Sequence, residues 1–298
     1  MTLGTEEEEH PSPLAVEPRD EAVPPSPLLT LGRMAETNGG GSLENVPGFD
    51  SARARNHGLF PLAGHGPAAA GADGFRLQNV FGGDNRVPVP DTTALPWRSI
   101  CLLSITYEDG KRATGTAWFL GERALGTAAH NIRHPRSGRA TEILVSPAYD
   151  GTAAPFGTYR AEQTWCDPAW LGGNTDPVLD YGVIMLADPG VGRRVGWFGF
   201  ASYSKKQLNK LLLNVSGYAI DRDPRTQYYN GGRLEQADDR FLRYTFDTEG
   251  GMSGAPIFAL FGTQRVVVGI HTGGNDRTNR ARRIDAQVYA VLERFGQS

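Results

Sequence analysis

The 298-residue sequence predicts an all-β protein, two packed six-stranded β-barrels followed by a C-terminal α-helix. Three observations predict it. After residue 78, short runs of Ile, Val, Leu, Thr and aromatic residues recur with Gly, Pro or Asp between them, as strands joined by turns do. Roughly 220 residues of this texture are too many for one small barrel and suit two. Clear helical spacing appears at the end, in Ile284, Val288, Val291, Leu292 and Phe295, with Asp285 as the N-cap.

Residues 1–78 read differently. They hold no Trp, Tyr or Cys, yet carry 9 of the 20 prolines and 11 of the 38 glycines. A segment this poor in aromatic side chains cannot offset its ordering entropy by burial, so 1–79 is read as a disordered tail and 80–298 as the folded domain. The barrels are assigned to about 80–190 and 191–298. Pro11 to Pro27 reads as extended, and Gly39-Gly40-Gly41-Ser42 and Gly64 to Gly74 as flexible. The tail has 11 acids and 5 Lys/Arg, the remainder 22 and 25, and the whole chain is at -3. Neither part is basic enough for a nucleic-acid partner. The start, with Glu6-Glu7-Glu8-Glu9, lacks the basic and apolar regions of a secretory signal, and no apolar run could span a membrane. Cys101 and Cys166 could form one bridge; two buried free thiols fit better.

Within the domain the strand candidates are Ser99–Tyr107, Ala113–Leu120, Glu142–Ser146, Gly157–Trp165, Tyr181–Leu186, Leu211–Tyr218, Phe241–Phe246, Ala255–Phe261 and Arg265–His271. Ser204–Leu213 could begin as helix, but Leu211 to Val215 reads as strand.

Three residues carry the chemistry. Gly250-Gly251-Met252-Ser253-Gly254 is a glycine-rich turn that can expose a serine hydroxyl and aim neighbouring N–H groups at one point. The small-residue stretch Thr127-Ala128-Ala129 delivers His130, whose neutral imidazole can take a proton near pH 7. Asp180 stands just before the apolar Tyr181–Leu186, where a partly buried carboxylate needs a partner such as a His N–H. Asp176, before Pro177, suits a turn cap better. The order His130, Asp180, Ser253 is the triad order of paired β-barrels, with Gly251 and Ser253 as backbone oxyanion donors.

The segments Thr114–Leu120, Thr127–His130, Asp180–Ile184, Gly250–Pro256, Gly269–Gly274 and Asn279–Ile284 resemble the trypsin-like serine proteases. Within them they look most like the bacterial glutamyl endopeptidases. Val80-Phe81-Gly82-Gly83-Asp84-Asn85-Arg86 resembles the mature start of that branch. The resemblance covers about residues 79–298. It implies peptide-bond hydrolysis by Ser253, His130 and Asp180, no obligatory cofactor or metal, and protein or peptide substrates with acidic residues. It also implies that His271 and Thr248, five before the nucleophile, bind the substrate carboxylate. Val80 would supply a new α-amino group near that pocket, which makes 1–79 a propeptide cut after Gln78 or Asn79. Arg277, Arg280, Arg282 and Arg283 could raise the local potential near this pocket, with a solvated basic loop as the default reading. Two departures stand out: the disulfide that often brackets the catalytic His is replaced by Thr116 (or a neighbour) and Asn131, and the aspartate often found before the nucleophile is Met252. The competing reading is a protease-fold binding module without catalysis. The family is usually exported, but the sequence leaves the location open.

Overall fold

The computed structural model describes residues 41–50, 80–81, 83–222 and 225–297. The reading of residues 1–40 and 51–79 as tail therefore falls outside the described residues. A short strand, β1 (Val87–Pro88), pairs ahead into the second barrel. The first barrel contains β2 (Ile100–Tyr107), β3 (Arg112–Phe119), β4 (Ala124–Thr127), β5 (Arg133–His134), β6 (Gly138–Pro147), β7 (Tyr159–Arg160), β8 (Gln163–Cys166) and β9 (Gly182–Met185). Its sheet runs β5-β6-β2-β3-β4-β9-β8. Six longer strands curl without closing: β7 pairs with β6, and the Ala161 N–H donates to the Ile143 carbonyl at 2.9 Å across the seam.

The second barrel contains β10 (Gly199–Phe200), β11 (Leu212–Tyr218), β12 (Gln227–Ala237), β13 (Phe241–Tyr244), β14 (Pro256–Phe261), β15 (Gln264–Gly274) and β16 (Asn279–Arg283). The ring β12-β11-β14-β15-β16-β13 closes through the β12–β13 pairing, giving the six-stranded barrel the sequence predicts.

Why the strands read as continuous apolar runs follows from where each face goes. In β2, Cys101, Leu103 and Ile105 fill the first barrel, while Ile100 and Leu102 face a shared core between barrels. That shared core also takes Trp118, Tyr218, Tyr229, Phe258, Val267 and Ile270. Leu213, Val215, Ile257, Val266 and Val268 fill the second barrel. A strand buried on both faces loses its polar alternation. Cys101 and Cys166 are buried free thiols.

The C-terminal helix Ala286–Gly296 begins where expected, with Asp285 Oδ1 accepting the Val288 N–H at 3.0 Å. Val288 and Leu292 are buried, and Phe295 reaches Trp165 of the first barrel with ring centroids 5.8 Å apart. The helical start read at Ser204 is one turn, Lys205–Leu208, with a Ser204–Gln207 capping box, and the strand β11 follows as expected. Two readings change. Gly157–Trp165 is two short strands, β7 and β8. Arg280, Arg282 and Arg283 belong to β16 rather than to a solvated loop, and Arg282 is fully buried.

Residues 41–50, placed by composition in the tail, are packed on the second barrel. The Ser42 N–H donates to the Leu260 carbonyl at 2.9 Å, and the Glu44 N–H to Asn214 Oδ1 at 2.8 Å. Glu44 forms a two-point pair with Arg265, at 2.6 and 3.0 Å. Val46 is buried, and Phe49 sets its ring edge-on to Tyr229 with centroids 4.9 Å apart. The physical reason is that two apolar anchors and one ion pair suffice locally, whatever the segment's average composition. Val46→Ala should therefore destabilise the full chain by about 1–2 kcal/mol, read as a lower urea midpoint; an unchanged midpoint means the strap adds nothing to the fold.

Candidate active site

Asp180 follows a turn, Pro177–Leu179, that Asp176 caps by accepting the Val178 N–H at 2.9 Å. Asp176 thus has the capping role read from its place before Pro177, and Asp180 is left to face inward, almost wholly buried. Its Oδ1 accepts the His130 backbone N–H at 3.0 Å, and its two oxygens lie 3.1 and 2.8 Å from His130 Nδ1. His130 sits in a short 3₁₀ turn, Ala129–Asn131, that follows β4. Tyr107 holds that turn by donating its O–H to the His130 carbonyl at 3.0 Å. The carboxylate contact leaves Nε2 as the outward nitrogen, and Nε2 is buried without a hydrogen-bond partner.

Ser253 comes from the other barrel, in the turn between β13 and β14. Gly251 and Gly254 both have positive φ, 90° and 91°. A Cβ on Gly254 would lie 2.1 Å from the Thr116 carbonyl oxygen, and one on Gly251 2.3 Å from that of Tyr218. Both positions therefore need glycine for conformation and for space. The turn is tied to the first barrel through backbone. The Ser253 carbonyl accepts the Thr116 N–H at 2.8 Å and Asn131 Nδ2 at 2.9 Å, and Thr116 Oγ1 donates to the Gly251 carbonyl at 2.8 Å. Asn131 adjoins His130, so the serine turn is fastened next to the imidazole. The structure thus brings His130, Asp180, Ser253 and Gly251 to one place.

His271 lies in β15 beside this turn, and its carbonyl accepts the Gly254 N–H at 2.7 Å. Its side chain is fully buried. Nδ1 lies 2.5 Å from the Tyr244 hydroxyl, while Nε2 has no partner. Thr248 Oγ1 and Thr272 Oγ1 are also buried without partners. Burial pushes the His271 pKa down to about 3, with repulsion from His130 and Arg280 added. Burial also drives the Tyr244 phenol well above its usual range, so its proton stays. Such orphaned donors are costly in a closed protein and suit a ligand.

Val80 is half-buried, and its neighbours reach the same region. The Phe81 and Asn85 N–H groups donate to the two oxygens of Asp247 at 2.6 and 3.0 Å, directly before Thr248 in the chain. Burial raises Asp247 to about 6. Gln78 and Asn79, the supposed cleavage positions, lie outside the described residues.

Sequence reasoning did not foresee three participants: Thr116 and Asn131 as holders of the serine turn, and Tyr244 as the partner of His271. The available signal was strand register, which residue spacing does not encode.

No protein-family model matches the chain. It is 32% identical over 233 residues to a glutamyl endopeptidase of Bacillus licheniformis, covering 75% of this chain and 71% of the relative. An extracellular metalloprotease of Bacillus subtilis strain 168 is 29% identical over 217 residues, covering 72% and 69%. That name concerns the relative; among the described residues here, no three His, Cys, Asp or Glu side chains gather as a metal site. In structure, the chain is similar to a Glu endopeptidase solved in complex with MPD, with a TM-score of 0.65 and 21% identity, covering 74% of this chain and all of that one. Sequence identity and shared double-barrel architecture together place the chain in the glutamyl endopeptidase family of trypsin-like serine proteases, as a serine endopeptidase.

Proposed function

We propose that this endopeptidase cleaves peptide bonds after Glu, or Asp, using Ser253, His130 and Asp180. Ser253 Oγ attacks the carbonyl carbon while its proton passes to His130 Nε2. Asp180 holds the Nδ1 proton and so fixes the tautomer that leaves Nε2 able to accept. The Gly251 and Ser253 N–H groups take the negative charge that forms on the carbonyl oxygen. His130 then gives its proton to the leaving amine, and an ester on Ser253 remains. Water, losing a proton to His130, attacks that ester and releases the acid product with Ser253 restored.

What carries the acid preference is the set of buried, unpartnered donors beside the serine turn: His271 Nε2 and Thr248 Oγ1. Tyr244, kept neutral, donates to Nδ1, which puts the imidazole proton on Nε2. A neutral ring then still offers one N–H to a carboxylate, and Thr248 offers an O–H. Asp247 clips the start of the domain next to Thr248, so a new amino group at Val80 would enter near the same donors. Residues 1–79 then act as a propeptide, and the large chain of active protein, isolated by denaturing electrophoresis, should begin at Val80; an uncut active chain beginning near Met1 overturns that part.

A fluorophosphonate probe should label the wild type and not Ser253→Ala, whose kcat/KM should fall by roughly 10³-fold or more. Labelling of Ser253→Ala would assign the nucleophile elsewhere. His271→Ala and Thr248→Val should each lower kcat/KM for a Glu peptide by about tenfold or more, with far less effect on its Gln analogue. An equal loss on both peptides would remove the pocket assignment.

Acid stability gives a separate check. The folded His271 pKa, about 3, lies below the ordinary 6.5, so unfolding takes up a proton between these values. Its contribution is therefore neutral above pH 6.5 and increasingly destabilising as pH falls towards 3, on the order of 4 kcal/mol. Asp247, raised to about 6, acts in the opposite sense between about pH 6 and 4. His271→Asn should lose less stability than wild type between pH 7 and pH 4 in urea titrations. Parallel curves would mean that His271 is charged in the fold.

A further inference from the structure

Arg280 is the residue that the proposed mechanism leaves unused. It lies in β16 opposite Gly273 of β15, two residues beyond His271. Ala281 is the residue opposite His271. Strand neighbours alternate between faces, so Arg280 lies on the face opposite Ala281 and His271, and the register shift between His271 and Gly273 brings Gly273 level with Arg280. Arg280 shares its face with Arg243 and Arg282, and the other two are neutralised. Arg243 pairs with Asp238 at 3.2 Å and Arg282 with Asp285 at 2.8 Å. Among the described residues, Arg280 has no carboxylate in ion-pair reach. Its guanidinium stands 5.1 Å from the Phe241 ring centroid, and its Nε is buried without a hydrogen-bond partner. The Asp180 charge opposes the burial that lowers the Arg280 pKa.

Among the described residues, the edge beside Arg280 is open: β14 pairs with β15 only as far as Ile270, and beyond it Thr272–Gly274 has β16 on one side and no described strand on the other. That edge begins at the serine turn, where the Gly254 N–H meets the His271 carbonyl. An extended peptide reaching Ser253 can add to it by main-chain pairing, and its side chains then alternate between the two faces. If the side chain of the cleaved residue enters the His271 face, the residue before it falls on the Arg280 face. Gly273 stands between that residue and Arg280 and has no side chain to block the approach.

We propose that Arg280 forms a second acid-binding subsite, which holds an Asp or Glu side chain at the residue immediately before the cleaved one. This rests on the acid preference of the His271 pocket for its register, since that pocket decides which substrate residue faces which way. A guanidinium without its own carboxylate, stacked on Phe241 and half-buried, is preorganised to donate two hydrogen bonds to one. The enzyme then prefers paired acidic residues over isolated ones.

The test uses peptides that all carry Glu at the cleaved position and Glu, Gln or Ala just before it. Wild type should favour Glu over Gln at that preceding residue by about tenfold in kcat/KM, and 1 M salt should reduce the ratio. Arg280→Gln should bring the ratio close to one, and Arg280→Lys should keep part of it. The Glu-to-Gln ratio at the cleaved position itself should be unchanged in Arg280→Gln and lost in His271→Ala, which separates this subsite from the primary pocket. No acid preference at the preceding residue in wild type, or the same preference in Arg280→Gln, overturns the proposal. The wild-type ratio alone decides it should both variants fail to fold.

Discussion

One backbone oxygen holds the two halves of this molecule in register. The Ser253 carbonyl belongs to the second barrel, and both of its donors, Thr116 N–H and Asn131 Nδ2, belong to the first. His130 and Asp180 are already fixed to each other within the first barrel, by three contacts between 2.8 and 3.1 Å. Only the placement of Ser253 depends on how the barrels meet. A shared apolar core supplies most of the adhesion but little direction, because apolar contact tolerates sliding. The hydrogen bonds supply direction, and each leaves a costly orphan if the barrels shift.

The tie is itself supported. Asn131 Nδ2 also reaches Thr127 Oγ1 at 2.9 Å, and Thr127 Oγ1 donates to the Thr116 carbonyl at 2.8 Å. Thr116 (or a neighbour) and Asn131 match the positions where the resembled family often carries a disulfide. A polar chain occupies the place of that covalent bracket, and unlike a disulfide it does not depend on the redox state of the surroundings. Arg282 makes a further crossing. It is fully buried, donates to the Val178 carbonyl two residues before Asp180, and pairs with Asp285 at the start of the last helix. One guanidinium from the second barrel thereby steadies the Asp180 loop of the first.

Much of this was legible in the sequence, for identifiable reasons. Strands buried on both faces, such as β2 and β14, announce themselves by apolar runs between turns. β12 and β16 do not. β12 is broken by Asn230-Gly231-Gly232 and has polar residues at its end, and β16 is Asn-Arg-Ala-Arg-Arg. Their strand character comes from pairing on both sides, a tertiary effect that outweighs local preference. The residues of the candidate triad were readable because their types, order and small-residue settings are local. Thr248 and His271 were singled out through resemblance, since a buried His on a strand is ordinarily core. Tyr244 and Asn131 had no local signal, because their meaning lies in which residue stands across from them. The ten residues 41–50 were hidden by averaging over a Pro- and Gly-rich region in which Val46, Phe49 and Glu44 are too few to change the mean.

Those ten residues also bear on what a proteolysed form of this protein would look like. The strap is joined to the domain at Ser42, Glu44, Val46 and Phe49, and the chain re-enters the described structure at Val80. A break between the two points would sever the covalent chain without removing any strap contact. The product would be a nicked heterodimer, one short peptide and one large subunit held by non-covalent bonds. Denaturing electrophoresis would separate the pieces, while gel filtration would still report a single particle.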